Sequence, residues 1–599
     1  MNEFIIGWQP TRNAGDDDSP FDKLKQREKS IEIASTSTGL HLASNNCIVS
    51  DGHDEAISVG SSATVVKALE TASIKSNTDD LPTMLRDEAP GFVGATVNDN
   101  GIRGLTDWIG SRPLYATTTS TGLHLIATNI PWLLSVPGVS DDIEPQSVYN
   151  FIHFHIVPGP ATIFRSIRKI GAASLFKIDQ DSHITEQRYW PPAKTISSES
   201  PETLQRALRE KMADAVGRLH DGSDQVACFL SGGLDSSTIA GLLSKQASTT
   251  HAFTIGFGQD GYDEMPYAET AAKHFGLQHH KSYITPTAVH ELLPKLAGSF
   301  GEPFGNLSCI PAYYCARMAH QEGFSTMFAG DGGDELFAGN ERYARHKLIG
   351  AYQKLPRLIR KSMEPAMVKL VGNRISLLHK IGRYIDIAKD DLPVRLLEDF
   401  EHFQDFAPEE IFSERFLSHV NKENPVHLLR QMVESSPDGD LLETLLWVDW
   451  KITLTDNDLR KVHYACKSTG VTPLFPMLDR ELMEFSRSIP PRQKLTKNRL
   501  RAMFKDAYSD FLPESIINKP KHGFGLPFGE WLRDNASLRE LCETSFSRME
   551  QRALFNQDFI PKLRNAHRDT HAAYFGTMIG TILMLDLWLE SNENLKLPM

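Results

Sequence analysis

Val226-Ala227-Cys228-Phe229-Leu230-Ser231-Gly232-Gly233-Leu234-Asp235-Ser236-Ser237-Thr238-Ile239-Ala240-Gly241-Leu242-Leu243 is the stretch that decides the fold. A compact apolar run, a glycine turn and an apolar segment with helical spacing make a strand–turn–helix unit of the nucleotide-binding α/β kind. Gly232 and Gly233 let the backbone turn tightly and aim N–H groups at one point, and the hydroxyls of Ser231, Ser236 and Ser237 add neutral donors. The positive end of the helix dipole falls at the same place, so the turn reads as a phosphate cradle. It is not a Walker A loop, because the Gly-Lys-Ser/Thr ending is missing.

Outward from this unit, His251 to Phe257 reads as the next strand and Thr326 to Gly330 as another. Leu204, Ala207, Leu208, Met212, Val216 and Leu219 recur at helical spacing just upstream. Before about residue 195 the pattern is short apolar runs broken by turns. The run Gly91 to Val97 followed by Asn98-Asp99-Asn100-Gly101 predicts a hairpin. A Ser/Pro-rich linker over 193–201 divides the chain into 1–195 and 202–599. Helical patterns dominate from about 340 onward, and Tyr574 to Met584 reads as a packed terminal helix.

Composition narrows the function. With 63 Lys and Arg against 76 Asp and Glu among 599 residues, the net charge is -13. That balance argues against gripping nucleic acid or an anionic membrane. Six cysteines form neither a dense disulfide framework nor a paired zinc pattern, so a reducing cytoplasm is expected. The first residues lack a basic region and a long apolar run, and no uninterrupted stretch approaches the roughly 18 apolar residues that span a bilayer. His153 and His155 sit two apart in what reads as a strand, where burial beside a core is the expectation rather than metal ligation. Cys309 and Cys315 are expected to be buried on a helix.

A second motif follows the later strand: Gly330-Asp331-Gly332-Gly333-Asp334-Glu335-Leu336-Phe337-Ala338-Gly339. Asp331, Asp334 and Glu335 would repel one another unless a cation sits among them. Hard oxygen ligands suit Mg²⁺, which commonly bridges one or two carboxylates and phosphate oxygens. Asp235 and Asp334 are therefore the expected metal pair, facing the cradle from two sides.

Here the sequence resembles the asparagine synthetase superfamily. Ser231 to Ser236 matches its SGGxDS loop and Gly330 to Gly339 its G(D/E)GxDExFxG segment. Thr254-Ile255-Gly256-Phe257 with Asp263-Glu264, Glu302-Pro303-Phe304, Pro473 to Asp479, and Leu512 to Gly525 are similar to further blocks, in order. Asp107 to Tyr115 and Pro158 to Phe164 resemble strands of the glutamine-hydrolysing domain carried by that family. That domain needs a cysteine directly after the initiator methionine, and Asn2 stands there, so glutamine hydrolysis is expected to be absent.

The resemblance implies an α+β N-terminal amidotransferase-like domain, an Ntn-type sandwich without its cysteine, over 1–195. It implies an α/β ATP-pyrophosphatase-type domain with a parallel sheet and a helical C-terminal part over 202–599. The implied chemistry is activation of a carboxylate by ATP with Mg²⁺, release of pyrophosphate, and displacement of AMP by an amine. Lys521 would contact phosphate, Asp331 or Glu335 would handle the amine's proton, and the backbone around Leu230, Ile255 and Gly330 would hold adenine. Length and altered N-terminus most resemble a lasso peptide cyclase, which implies a precursor peptide as substrate, with a leader peptidase and a leader-binding protein as partners. An ammonia-using asparagine synthetase or a β-lactam synthetase-like ligase is the alternative.

Overall fold

The structure, a computed structural model, describes the chain except residues 1–2, 9–20, 22–31, 36–39, 46–47, 52–56, 61, 76–80, 86–87, 99–100, 180–182, 192–193, 260, 357–358, 360–386, 401–402, 498, 521–524, 593–594, 596 and 598–599. The first part is a sandwich of two antiparallel six-stranded sheets. One has the order Arg168–Lys169, Tyr115–Thr118, His124–Ala127, Glu3–Trp8, Leu40–Asn45, Glu32–Ser35. The other runs Ile184–Arg188, Ser174–Ile178, Gly101–Thr106, Val93–Asn98, Ile57–Gly60, Ile48–Asp51. Alternation decides which side chains meet between them, because successive residues of a strand face opposite ways. Phe4, Ile6 and Trp8 enter the inter-sheet core with Val93, Ala95 and Val97, whereas Ile5 joins the larger core on the other face. The expected hairpin is present, with Asn98 opposite Gly101.

Ser200 caps the helix Pro201–Leu219, its side chain accepting from the Thr203 N–H. Beyond it a parallel sheet has the order Gln278–Tyr283, Thr249–Gly256, Gln225–Phe229, Thr326–Phe328, Thr472–Leu474. The chain builds outward from Gln225–Phe229 in one direction, then returns to add strands on its other side. The order therefore reverses between Gln225–Phe229 and Thr326–Phe328, and ligands of open parallel sheets bind at such a switch point, beyond the C-terminal strand ends. The two motifs singled out from the sequence follow these two strands.

The remainder is largely helical. Ala572–Glu590 is long and apolar enough to cross a membrane, yet 83% of its apolar window is buried inside the protein. The buried Asp586 on this helix is held by Arg548. His153 and His155 differ from expectation: Pro145–Phe154 is a helix, with His153 buried on it and His155 ending it in the left-handed region at φ 50°. Proline at the first turn and an apolar helical stripe outweigh the short aromatic run that suggested a strand. Cys309 and Cys315 are buried on the helix Cys309–Gln321, as expected.

The two parts meet through polar contacts that fix their register. Trp108 Nε1 donates to the Leu478 carbonyl at 2.8 Å, and Thr455 Oγ1 donates to the Ile109 carbonyl at 2.8 Å. Lys169 reaches the buried Glu302 at 3.1 Å, and Glu302 is also paired with Arg460 at 2.6 Å. Replacing Trp108 with Phe keeps a ring and removes the donor. It is expected to lower stability by about 1 kcal/mol, read as a fall in the urea midpoint without a change in slope.

Candidate active site

Strand Gln225–Phe229 ends at the glycine turn, and Leu234–Leu243 leaves it as a helix. Gly232 has φ +67°, and a Cβ there would lie 2.4 Å from the Ala268 backbone nitrogen, so no other residue fits without moving the next helix. Within the turn Ser231 Oγ accepts from the Gly233 N–H at 3.2 Å, and Ser236 Oγ accepts from the Ser231 N–H at 3.2 Å. The two hydroxyls lie 3.1 Å apart. Thr254 Oγ1 donates to the Leu230 carbonyl at 2.6 Å and ties the turn to the neighbouring strand.

The Gly330–Gly339 segment approaches from strand Thr326–Phe328. Gly332 takes φ +102° and opens the short helix Gly333–Phe337. A Cβ on Gly333 would lie 2.2 Å from Asp235 Oδ1, so the glycine is required by the close approach of the two loops. That approach brings Asp235 and Asp334 onto one cation: the Arg501 guanidinium donates to Asp235 Oδ2 at 2.8 Å and is also paired with Asp334. The pair expected from sequence thus converges, and charge-assisted bonds to a single guanidinium hold it.

The three acids of this segment avoid mutual repulsion in three different ways. Asp334 is paired with Arg501. Asp331 lies 3.9 Å from Lys461, and burial pushes its carboxyl up to about 6 against the pull of that lysine. Glu335, only 5% exposed, is pushed up to about 8 by burial, with repulsion from Asp458 and Asp449 adding to it. At neutral pH Asp331 is mainly ionised and Glu335 mainly protonated.

These groups line a cleft of about 820 Å³ that holds Ser231, Gly233, Asp235, Asp334 and Glu335 together with Arg501, Lys505 and Lys519. An adjoining hollow of about 230 Å³ is lined by Leu230, Ser236, Ile255, Gly330 and Asp331 and shares Asp235 and Asp334 with the cleft. The residues expected around adenine therefore stand together beside the glycine turn. Ser237 is not brought there: its side chain is fully buried and lines neither space. Gly232 packs against Tyr267 and Ala268 and acts through its backbone shape. Lys521 lies outside the described residues.

Several groups in the cleft were not singled out from the sequence. Lys519 pairs with Glu264 at 2.6 Å and donates to the Ser231 carbonyl at 3.4 Å, which places an ammonium against the glycine turn. Lys461 pairs with Asp458 at 2.9 Å, and both line the cleft and the hollow. Asp458 ends a π-helical stretch, Trp450–Asp458, whose period a search for 3.6-residue spacing does not find. The only local signal for Arg501 is the basic run Lys494, Lys497, Arg499, Arg501, Lys505.

Comparison with known proteins agrees with this geometry. The asparagine synthase family model matches residues 207–590, and a glutamine amidotransferase domain model matches 99–190. The glutamine-hydrolyzing asparagine synthetase 1 of Bacillus subtilis is 25% identical over 83% of this chain and 76% of its own length. A putative glutamine-hydrolyzing asparagine synthetase of Methanocaldococcus jannaschii is 28% identical over 61% of this chain and 69% of its own. A putative one of Mycobacterium tuberculosis is 24% identical over 71% of this chain, which spans 65% of that relative's length. The matched family model covers the glycine turn, both aspartates and the cations around them: the chain belongs to the asparagine synthase family of ATP-dependent amide ligases.

Proposed function

We propose that the chain activates a carboxylate as its acyl-adenylate, splitting ATP into AMP and pyrophosphate, and that carboxylate and amine belong to one precursor peptide. The product is a macrolactam of the lasso type, joining the peptide's α-amine to an Asp or Glu side chain. What carries the chemistry is the convergence of the phosphate turn, two aspartates and several cations on one cleft at the sheet's switch point. Backbone N–H groups at the turn, the Lys519 ammonium and the Arg501 guanidinium would stabilise the charge that gathers on the leaving pyrophosphate. Asp331, ionised at neutral pH, accepts the proton of the attacking ammonium, and protonated Glu335 donates a hydrogen bond beside it.

Asp235 and Asp334 fit Mg²⁺, being hard oxygen donors already converging on one cation. Among the described residues no group of three or more ligating side chains occurs, so the remaining ligands would be phosphate oxygens and water. When bound, the ion neutralises phosphate charge.

One observation favours a peptide. The cleft runs on into a second hollow of about 590 Å³ through shared Gly525, Leu526, Ala573 and Thr577. That gives continuous room beyond the roughly 300–1,000 Å³ of a single small-ligand site. A leader peptidase and a leader-binding protein would then deliver the peptide with its α-amine free.

The names of the relatives, glutamine-hydrolyzing asparagine synthetases, favour a second reading, formation of asparagine, taken here with ammonia as the amine. Incubation with L-aspartate, ammonium and Mg·ATP separates the two. The peptide reading expects no asparagine and, with a precursor peptide, AMP and a product lighter by one water. Asparagine accompanied by AMP would establish the small-molecule reading instead.

A further inference from the structure

A second cavity, of about 420 Å³, lies between the two parts of the chain, away from the phosphate turn. Four of the eight tryptophans line it: Trp108 and Trp190 from the first part, Trp447 and Trp450 from the second. All four are at least nine-tenths buried, and Trp190 stacks on Trp450 with ring centroids 5.5 Å apart. Such walls offer large flat apolar area with little freedom to lose on binding.

The charge on these walls is one-sided. Among the described residues, Arg112, Arg168, Lys169, Arg188, Lys451 and Arg460 line the cavity against only Glu186 and Asp456. Both acids are already engaged, Glu186 by Arg168 and Asp456 by Lys169 at 3.5 Å. Arg188 and Lys451 are not matched in this way. Among the described residues neither has a carboxylate within ion-pair distance. Each instead lies over the Trp447 ring, at 5.1 Å and 5.0 Å from its centroid. Lys451 Nζ donates to Ser435 Oγ at 2.7 Å, and burial together with the neighbouring guanidinium brings it down to about 8. Two cations over one indole, Arg188 exposed and Lys451 half-buried, with the nearby Glu186 and Asp456 each paired elsewhere, can take an anion that is not part of the chain.

We infer that this inter-domain cavity binds a small organic carboxylate carried on an aromatic or branched apolar body, with the carboxylate between Arg188 and Lys451 and the body against the tryptophans. The site is independent of the nucleotide cleft and of the reaction proposed there. A ligand seated across both parts of the chain would favour the docked arrangement over any separated one.

The tryptophans themselves supply the readout. Phenylacetate titrated into the full-length protein is expected to change tryptophan emission saturably, with benzyl alcohol and benzylamine each binding at least about tenfold more weakly. Lys451→Met and Arg188→Gln, each checked for wild-type thermal melting, should each weaken phenylacetate by about fivefold to tenfold and leave benzyl alcohol unchanged. Arg188 is exposed and Lys451 half-buried, so neither substitution empties a packed core; should one variant fail to melt cooperatively, the other still decides. Benzyl alcohol or benzylamine binding as tightly as phenylacetate would overturn the inference. So would phenylacetate binding unchanged in both variants, or no saturable change at all.

Discussion

Asp235→Asn is expected to lower ATP–pyrophosphate exchange by about 10²–10³-fold, the loss typical of removing one preorganised electrostatic contact to a transition state. The carboxylate stands at the first turn of the helix that leaves the phosphate turn, within hydrogen-bond distance of the guanidinium it shares with Asp334. Asparagine keeps the shape and the packing over Gly333 but removes the charge that makes the pair a cation site. Because Arg501 retains Asp334, the fold should survive, and the melting temperature should change by no more than a few degrees. Exchange at the wild-type rate would show that the pair has no part in holding nucleotide. Loss of exchange together with loss of cooperative melting would mean that the pair serves the fold instead.

Glu335→Gln is expected to remove part of the protein's pH dependence. In the unfolded chain the carboxyl titrates near 4.5, and in the folded protein it titrates near 8. The folded state therefore binds the proton more tightly. The stability this gives is fully present below pH 4.5 and is lost as pH rises through the interval to 8. Glutamine occupies the same space and never ionises, so its stability is free of this loss. Between pH 5 and pH 8 the unfolding free energy of the variant should gain on that of the wild type by on the order of 3 kcal/mol, at about 1.4 kcal/mol for each pH unit crossed. Urea titrations of both proteins at the two pH values measure the gain directly. Parallel stability curves would show that Glu335 ionises normally and is not held as a neutral donor.

Much of the fold could be read in the sequence because its signals are local. The glycine turn between an apolar run and a helical run, the Asn-Gly hairpin and the helical spacing from Leu204 to Leu219 each lie within fewer than twenty residues, and the structure shows all three. Convergence of the site is a different kind of fact. Asp235 and Arg501 are 266 residues apart, and only the strand order, with its reversal beside Gln225–Phe229, brings their segments together. A basic run has no visible partner until that topology is known. Ser237 shows the opposite error. It follows Ser236 directly, but successive residues on a helix point about 100° apart, so adjacent hydroxyls do not face one ligand. Asp458 and Lys461 escaped notice for a third reason, because they belong to a π-helical segment and the helix after it, where apolar spacing departs from 3.6.

The most direct test of the account is the bond of ATP that breaks during turnover. Phosphorus NMR of a reaction containing the enzyme, Mg·ATP and the proposed precursor peptide should show AMP and pyrophosphate rising together, in step with ring closure. ADP and orthophosphate in their place would contradict the assignment of the glycine turn and its two aspartates to an adenylate-forming site.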